Sequence, residues 1–113
     1  MKLRIVLLMA LLTPLSGCSN PIPPEKSDYV GQWRSKEMTL LILADGTVDY
    51  QRYKNGGAVT VNGPLQEFDG DDFSVGIGFL STTFEVSQPP AMVEGRWQMV
   101  VDGVRLTRAG GVE

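Results

Sequence analysis

The sequence predicts an all-β fold: a small antiparallel up-and-down meander of about eight short strands closed into a barrel, with a two-sheet sandwich as the alternative. Two observations carry this expectation. No window sustains a 3.6-residue apolar period, whereas alternation and turn dipeptides recur roughly every eight to twelve residues. In addition, the registers implied by four separate turns place one apolar set on one face, an agreement that isolated matches would not give.

Asp45-Gly46 suits a two-residue type I′ hairpin, in which both central residues take positive φ. That turn pairs Leu43 with Val48 and Leu41 with Tyr50. Asn55-Gly56 at the next turn pairs Arg52 with Val59 and Tyr50 with Val61, so the same face continues; a turn at Gly56-Gly57 would oppose Lys54 to Val59 and break it. Phe68 and Phe73 flank Asp69-Gly70-Asp71-Asp72, after which Phe73, Val75, Ile77 and Phe79 alternate inward. A turn at Leu80-Ser81 then pairs Ile77 with Phe84 and Val75 with Val86. Asp102-Gly103 pairs Val101 with Val104, Met99 with Leu106 and Trp97 with Arg108. These registers leave Leu40, Ile42, Leu80 and Val100 on the outer face. Leu40 and Ile42, in the doubly apolar stretch 39–43, are the expected contact surface, because contiguous exposed apolar area marks an interaction site.

The chain of 113 residues is long enough for one domain. It opens with Lys2 and Arg4 ahead of the apolar run 5–12, a charged region and a short hydrophobic core of the kind found in secretion signals. Leu15-Ser16-Gly17-Cys18 resembles the lipobox of bacterial lipoproteins at every position. The resemblance implies a signal peptide over 1–17, cleavage between Gly17 and Cys18, and lipid on the Cys18 thiol with acylation of the freed amine. Cys18 is the only cysteine, so no disulfide forms within the chain. By the sorting rule of Gram-negative lipoproteins, Ser19 after the cysteine implies the outer membrane, facing the periplasm. Residues 18–27, rich in proline, read as an extended tether lifting the domain by roughly 20–30 Å; the β domain is expected over 28–108, and 109–113 as a flexible tail.

Tyr29-Val30-Gly31-Gln32-Trp33-Arg34 looks like the Gly-X-Trp motif that opens the first strand of lipocalins and related calycin barrels. The resemblance implies that Gly31 and Trp33 help close one end of the barrel. It also implies that Arg108, from the last strand, stacks on the indole as a structural plug.

Loss of Lys2 and Arg4 leaves eight basic against thirteen acidic residues, a net charge near −5. Such a domain lacks the basic stripe that neutralises phosphates, so no nucleic-acid partner is expected. The chain contains no histidine, which removes the commonest general base and metal ligand. Asp69, Asp71 and Asp72 lack the spacing of a calcium loop, and a solvated turn accounts for them. The sequence therefore predicts no catalytic residue, metal or cofactor. The expected function is a membrane-anchored, non-enzymatic envelope module that binds a protein partner or itself. The alternatives are a lipocalin-like carrier of a small lipophilic ligand and an inhibitor of a cell-wall hydrolase.

Overall fold

A computed structural model describes residues 21–109; the signal segment, the Gly17–Cys18 cleavage site and most of the expected tail lie outside them. Nine antiparallel strands form one strongly curled sheet, a half-barrel that is open where a closed barrel of eight was expected. They are β1 (Gly31–Arg34), β2 (Met38–Ile42), β3 (Thr47–Lys54), β4 (Gly57–Asp69), β5 (Asp72–Ile77), β6 (Leu80–Phe84), β7 (Val86–Val93), β8 (Arg96–Val101) and β9 (Val104–Arg108). Their order in the sheet is β6-β5-β4-β3-β2-β1-β9-β8-β7.

Turn chemistry explains most of this order. Asn55 and Gly56 both take positive φ, as do Asp102 and Gly103. These are the type I′ requirements, and they give the expected pairs Arg52 with Val59, Tyr50 with Val61, Val101 with Val104 and Met99 with Leu106. Glu94-Gly95 uses the same device to separate β7 from β8, which raises the strand count.

Two turns differ from expectation. At Asp45-Gly46 only Gly46 has positive φ, and the Gly46 N–H donates to Leu43 O while Leu43 N–H donates to Thr47 O. The loop is thus three residues long, a type I turn completed by a left-handed glycine. Asp45 Oδ1 accepts the Thr47 N–H at 2.9 Å and fixes it. The extra loop residue slips the register by one: Leu40 pairs with Tyr50 and Ile42 with Val48. The second difference lies at the end of β5, where Ile77 pairs with Leu80 and Phe73 with Phe84. The turn is Gly78-Phe79, not Leu80-Ser81, because glycine at the first central position supplies the positive φ of a two-residue turn.

Alternate residues from the curled sheet fill its concave side. Trp33, Met38, Leu40, Ile42, Val48, Phe73, Val75, Phe84, Met99, Val101 and Leu106 are essentially inaccessible, each contributing about 1.5–3 kcal/mol of transfer free energy. Phe84 stacks on Phe73 at 5.2 Å and meets the Tyr50 ring edge-on at 4.8 Å.

The two edge strands, β6 and β7, follow one another in the chain through Glu85. The sheet is laced there at one corner. Glu85 N–H donates to Asp102 Oδ1 at 2.8 Å, Asp102 N–H to Glu85 O at 2.7 Å, and Val86 N–H to Asp72 Oδ1 at 2.7 Å. Farther along, β7 carries Pro89 and Pro90 and shifts register. Proline lacks a donor and is tolerated on an edge, where it discourages pairing with other chains.

Candidate functional site

Three groups of residues bear on function: a stack at the junction of the first and last strands, a depression on the convex face, and an apolar hairpin tip.

The stack forms where β9 returns to β1, with Trp33 opposite Arg108. The Arg108 guanidinium lies 4.8 Å from the Trp33 ring and 4.9 Å from the Trp97 ring. Its Nη2 donates to the carbonyl of Asp28. A Cβ on Gly31 would sit 3.0 Å from Arg108 Nε, and the backbone there has φ +146°, so only glycine admits the arginine this closely. Burial lowers the Arg108 pKa from its ordinary value, an effect opposed by the charge of Asp28. The guanidinium remains protonated. Trp33 is wholly buried, and its indole N–H donates to Tyr29 O at 2.9 Å. Trp33 is covered on every side, while Gly31 and Arg108 keep part of their surface in solvent, and the three form a packing unit in which the arginine lies over the indole.

The residues expected to form a tether in part belong to the domain. Ile22 packs against the core and its N–H donates to Ala44 O at 3.0 Å. Two short 3-10 turns over Pro24–Tyr29, with proline at the first helical position, bring Tyr29 under the sheet, because proline's fixed φ suits a helical start. The Tyr29 hydroxyl donates to Asp71 O at 2.8 Å, and its ring meets Phe68 edge-on at 5.0 Å. Lys26 Nζ donates to Gly70 O at 2.6 Å and lies 4.0 Å from Asp71 Oδ1. The acidic turn Asp69–Asp72 is therefore the dock for the N-terminal segment. Desolvation, then the charges of Asp71 and Asp72, push the Tyr29 pKa up to about 12.

Leu40 and Ile42, expected on the outer face, have no exposure at all. The one-residue register slip exchanges the faces of β2, so Leu41 and Leu43 take the outer positions and Leu43 is clearly exposed. The ladder sets Gln32, Leu41 and Asp49 in one cross-strand row and Thr39 and Gln51 in the next. Together they line a shallow depression of about 200 Å³ on the convex face of β1, β2 and β3. Leu41 is its apolar floor. The amides of Gln32 and Gln51 and the Asp49 carboxylate form a rim that both donates and accepts hydrogen bonds. The tyrosine hydroxyl of Tyr53 braces Gln51 through Oε1 at 2.8 Å.

At the β5–β6 turn, Phe79 is 92% exposed, with Ile77 at 74% and Leu80 at 73%. The alternation starting at Phe73 suggests an inward Ile77 and Phe79. The curled sheet, however, carries the hairpin beyond the core after Val75. The signal in the sequence was Gly78, whose placement at a turn leaves Phe79 at the apex. Gln66 Nε2 donates to Gly78 O at 2.9 Å, so the tip is held in place.

Comparison with protein-family models, with curated proteins and with solved structures yields no match for this chain.

Proposed function

We propose that the chain is a lipid-anchored, non-enzymatic protein of the outer membrane, facing the periplasm, whose half-barrel is a protein-binding module. The anchor rests on the Leu15-Ser16-Gly17-Cys18 motif behind a charged and apolar leader. The non-enzymatic reading rests on a chain without histidine, whose single thiol is assigned to lipid.

The observation that carries the binding role is the depression around Leu41. An apolar floor inside a rim of two amides and a carboxylate offers a partner segment one anchor and several hydrogen bonds, the usual composition of a protein contact. A lipophilic cargo is served less well. The depression is smaller than the roughly 300–1,000 Å³ typical of small-molecule pockets, and large buried side chains occupy the concave side.

The test is site-specific photocrosslinking in intact cells from Gln51, on the rim. A discrete crosslinked envelope protein, lost when Leu41 is replaced by arginine in a chain that still folds, is the expected outcome. Equal crosslinking from Gln51 and from Lys54, outside the depression, would remove the basis for this site. Mass measurement of the mature N-terminal peptide checks the anchor separately, through the added diacylglycerol on Cys18.

A further inference from the structure

We infer that the β5–β6 tip, Ile77-Gly78-Phe79-Leu80, is a second membrane contact that inserts into the bilayer holding the lipid anchor. The inference rests on the reading of Cys18 as lipidated, and it assigns the tip an occupant that the protein-binding role does not.

The chemistry of the tip selects a lipid surface. Three large apolar side chains stand clear of the core at its apex. From Phe73 to Phe84 the chain carries no charged residue, although the mature protein is acidic overall. An anionic bilayer repels a domain of that charge, and an uncharged projection is the part that approaches it without penalty. The apex is followed by Ser81, Thr82 and Thr83, whose hydroxyls suit the headgroup layer. An aromatic ring in company with aliphatic chains is also a common composition for segments buried shallowly at the acyl boundary.

Geometry puts this tip within reach. Three residues separate Cys18 from Ile22, and the four residue steps between them span at most about 14 Å. Ile22 is fastened to the turn at Ala44, so the lipid anchor holds that turn close to the membrane. From the same turn, Gly46 O accepts the Leu65 N–H, and Leu65 pairs with Val75. Two ladder steps of about 5 Å and four residue steps of β5 and its turn, which run back alongside β4 from that end, then lead to Phe79, a path of roughly 20 Å. The tip is also preorganised: Gln66 holds Gly78 O. At Gly76 a Cβ would lie 2.1 Å from Leu80 O, so the two strands of the hairpin approach more closely than another residue would allow. Insertion therefore requires little ordering of the turn.

The experiment uses the mature lipidated chain in vesicles of phosphatidylethanolamine and phosphatidylglycerol. The Cys18 sulfur is then a thioether, so Ser81→Cys provides the only free thiol for an environment-sensitive fluorophore. Thr60→Cys, exposed on β4, is the control. The expected result is a blue-shifted emission at position 81, quenched several-fold more strongly than at position 60 by a spin-labelled lipid. Phe79→Asp should abolish the difference. Equal quenching at the two positions, in chains whose mass shows lipid on Cys18, overturns the proposal. If the mass shows no lipid, the anchoring reading fails and the proposal falls with it. A blue shift without vesicles, in a species of doubled mass, would assign the tip to a second copy of the chain and likewise overturn it.

Discussion

The β2–β3 and β5–β6 hairpins are built from similar material and end in opposite circumstances. Each alternates large apolar residues and turns on a glycine with positive φ. In β2–β3, Leu40, Ile42 and Val48 are wholly covered, because β1 and β9 continue the sheet beside them and the rest of the half-barrel curls over. In β5–β6 only the base is covered: Phe73, Val75 and Phe84 are buried while Ile77, Phe79 and Leu80 are in solvent. Alternation specifies which residues share a face. Whether that face meets anything depends on how far the opposing layer extends, and nothing local to the strand encodes that.

The same substitution in both hairpins makes the contrast measurable. Leu40→Asp places an unpaired carboxylate in a dry core, and the expected outcome is loss of cooperative folding in circular dichroism. Gly76→Ala attacks the base of the second hairpin. The added Cβ collides with Leu80 backbone at φ +138°, for an expected cost on the order of 2 kcal/mol in urea denaturation. Alkali separates the segment docked under the acidic turn from the rest. Because burial holds the Tyr29 pKa at about 12, while the unfolded chain releases that proton near 10, about the ordinary value for tyrosine, this residue's contribution is complete below pH 10. It is lost as the pH rises from there toward 12. Tyr29→Phe should flatten this part of a pH–stability curve. At the small end, Leu80→Asp should change stability by no more than about 0.5 kcal/mol. A loss as large as that of Leu40→Asp would mean that the tip is covered in solution.

How much of this was legible varies with the backbone chemistry of each turn. Asn55-Gly56 and Asp102-Gly103 fix their registers because both residues of each turn accept positive φ. Asp45-Gly46 has the same composition but keeps Asp45 out of that region, and aspartate is equally content in either loop. The choice moved Leu40 and Ile42 from the expected contact surface into the core and put Leu41 over the depression. Gly31, Trp33 and Arg108 could be grouped from a resemblance in the sequence, and the Asp102-Gly103 register already set Trp97 across from Arg108; that both indoles lie against the one guanidinium was not legible, since it depends on side-chain geometry. The docking of Ile22 and Lys26 was likewise hidden: prolines in a polar stretch suggest an extended tether, and only the partners at Ala44 and Gly70 show otherwise.

The order of the strands has a consequence for assembly. Every neighbouring pair in the sheet is a sequence-adjacent hairpin except β1 with β9, so the molecule is a plain meander whose chain has been cut in the middle and rejoined at its edges. Each hairpin closes a small loop, while the β1–β9 ladder must bring Trp33 to Arg108 across nearly the whole domain, at the highest entropic cost of any pairing. A circular permutant with its new ends at Glu85, and a short linker between Arg108 and the docked N-terminal segment, would turn that distant encounter into one more local turn. Folding should then accelerate, as it does when contacts become local, with the arginine sandwich formed early instead of last.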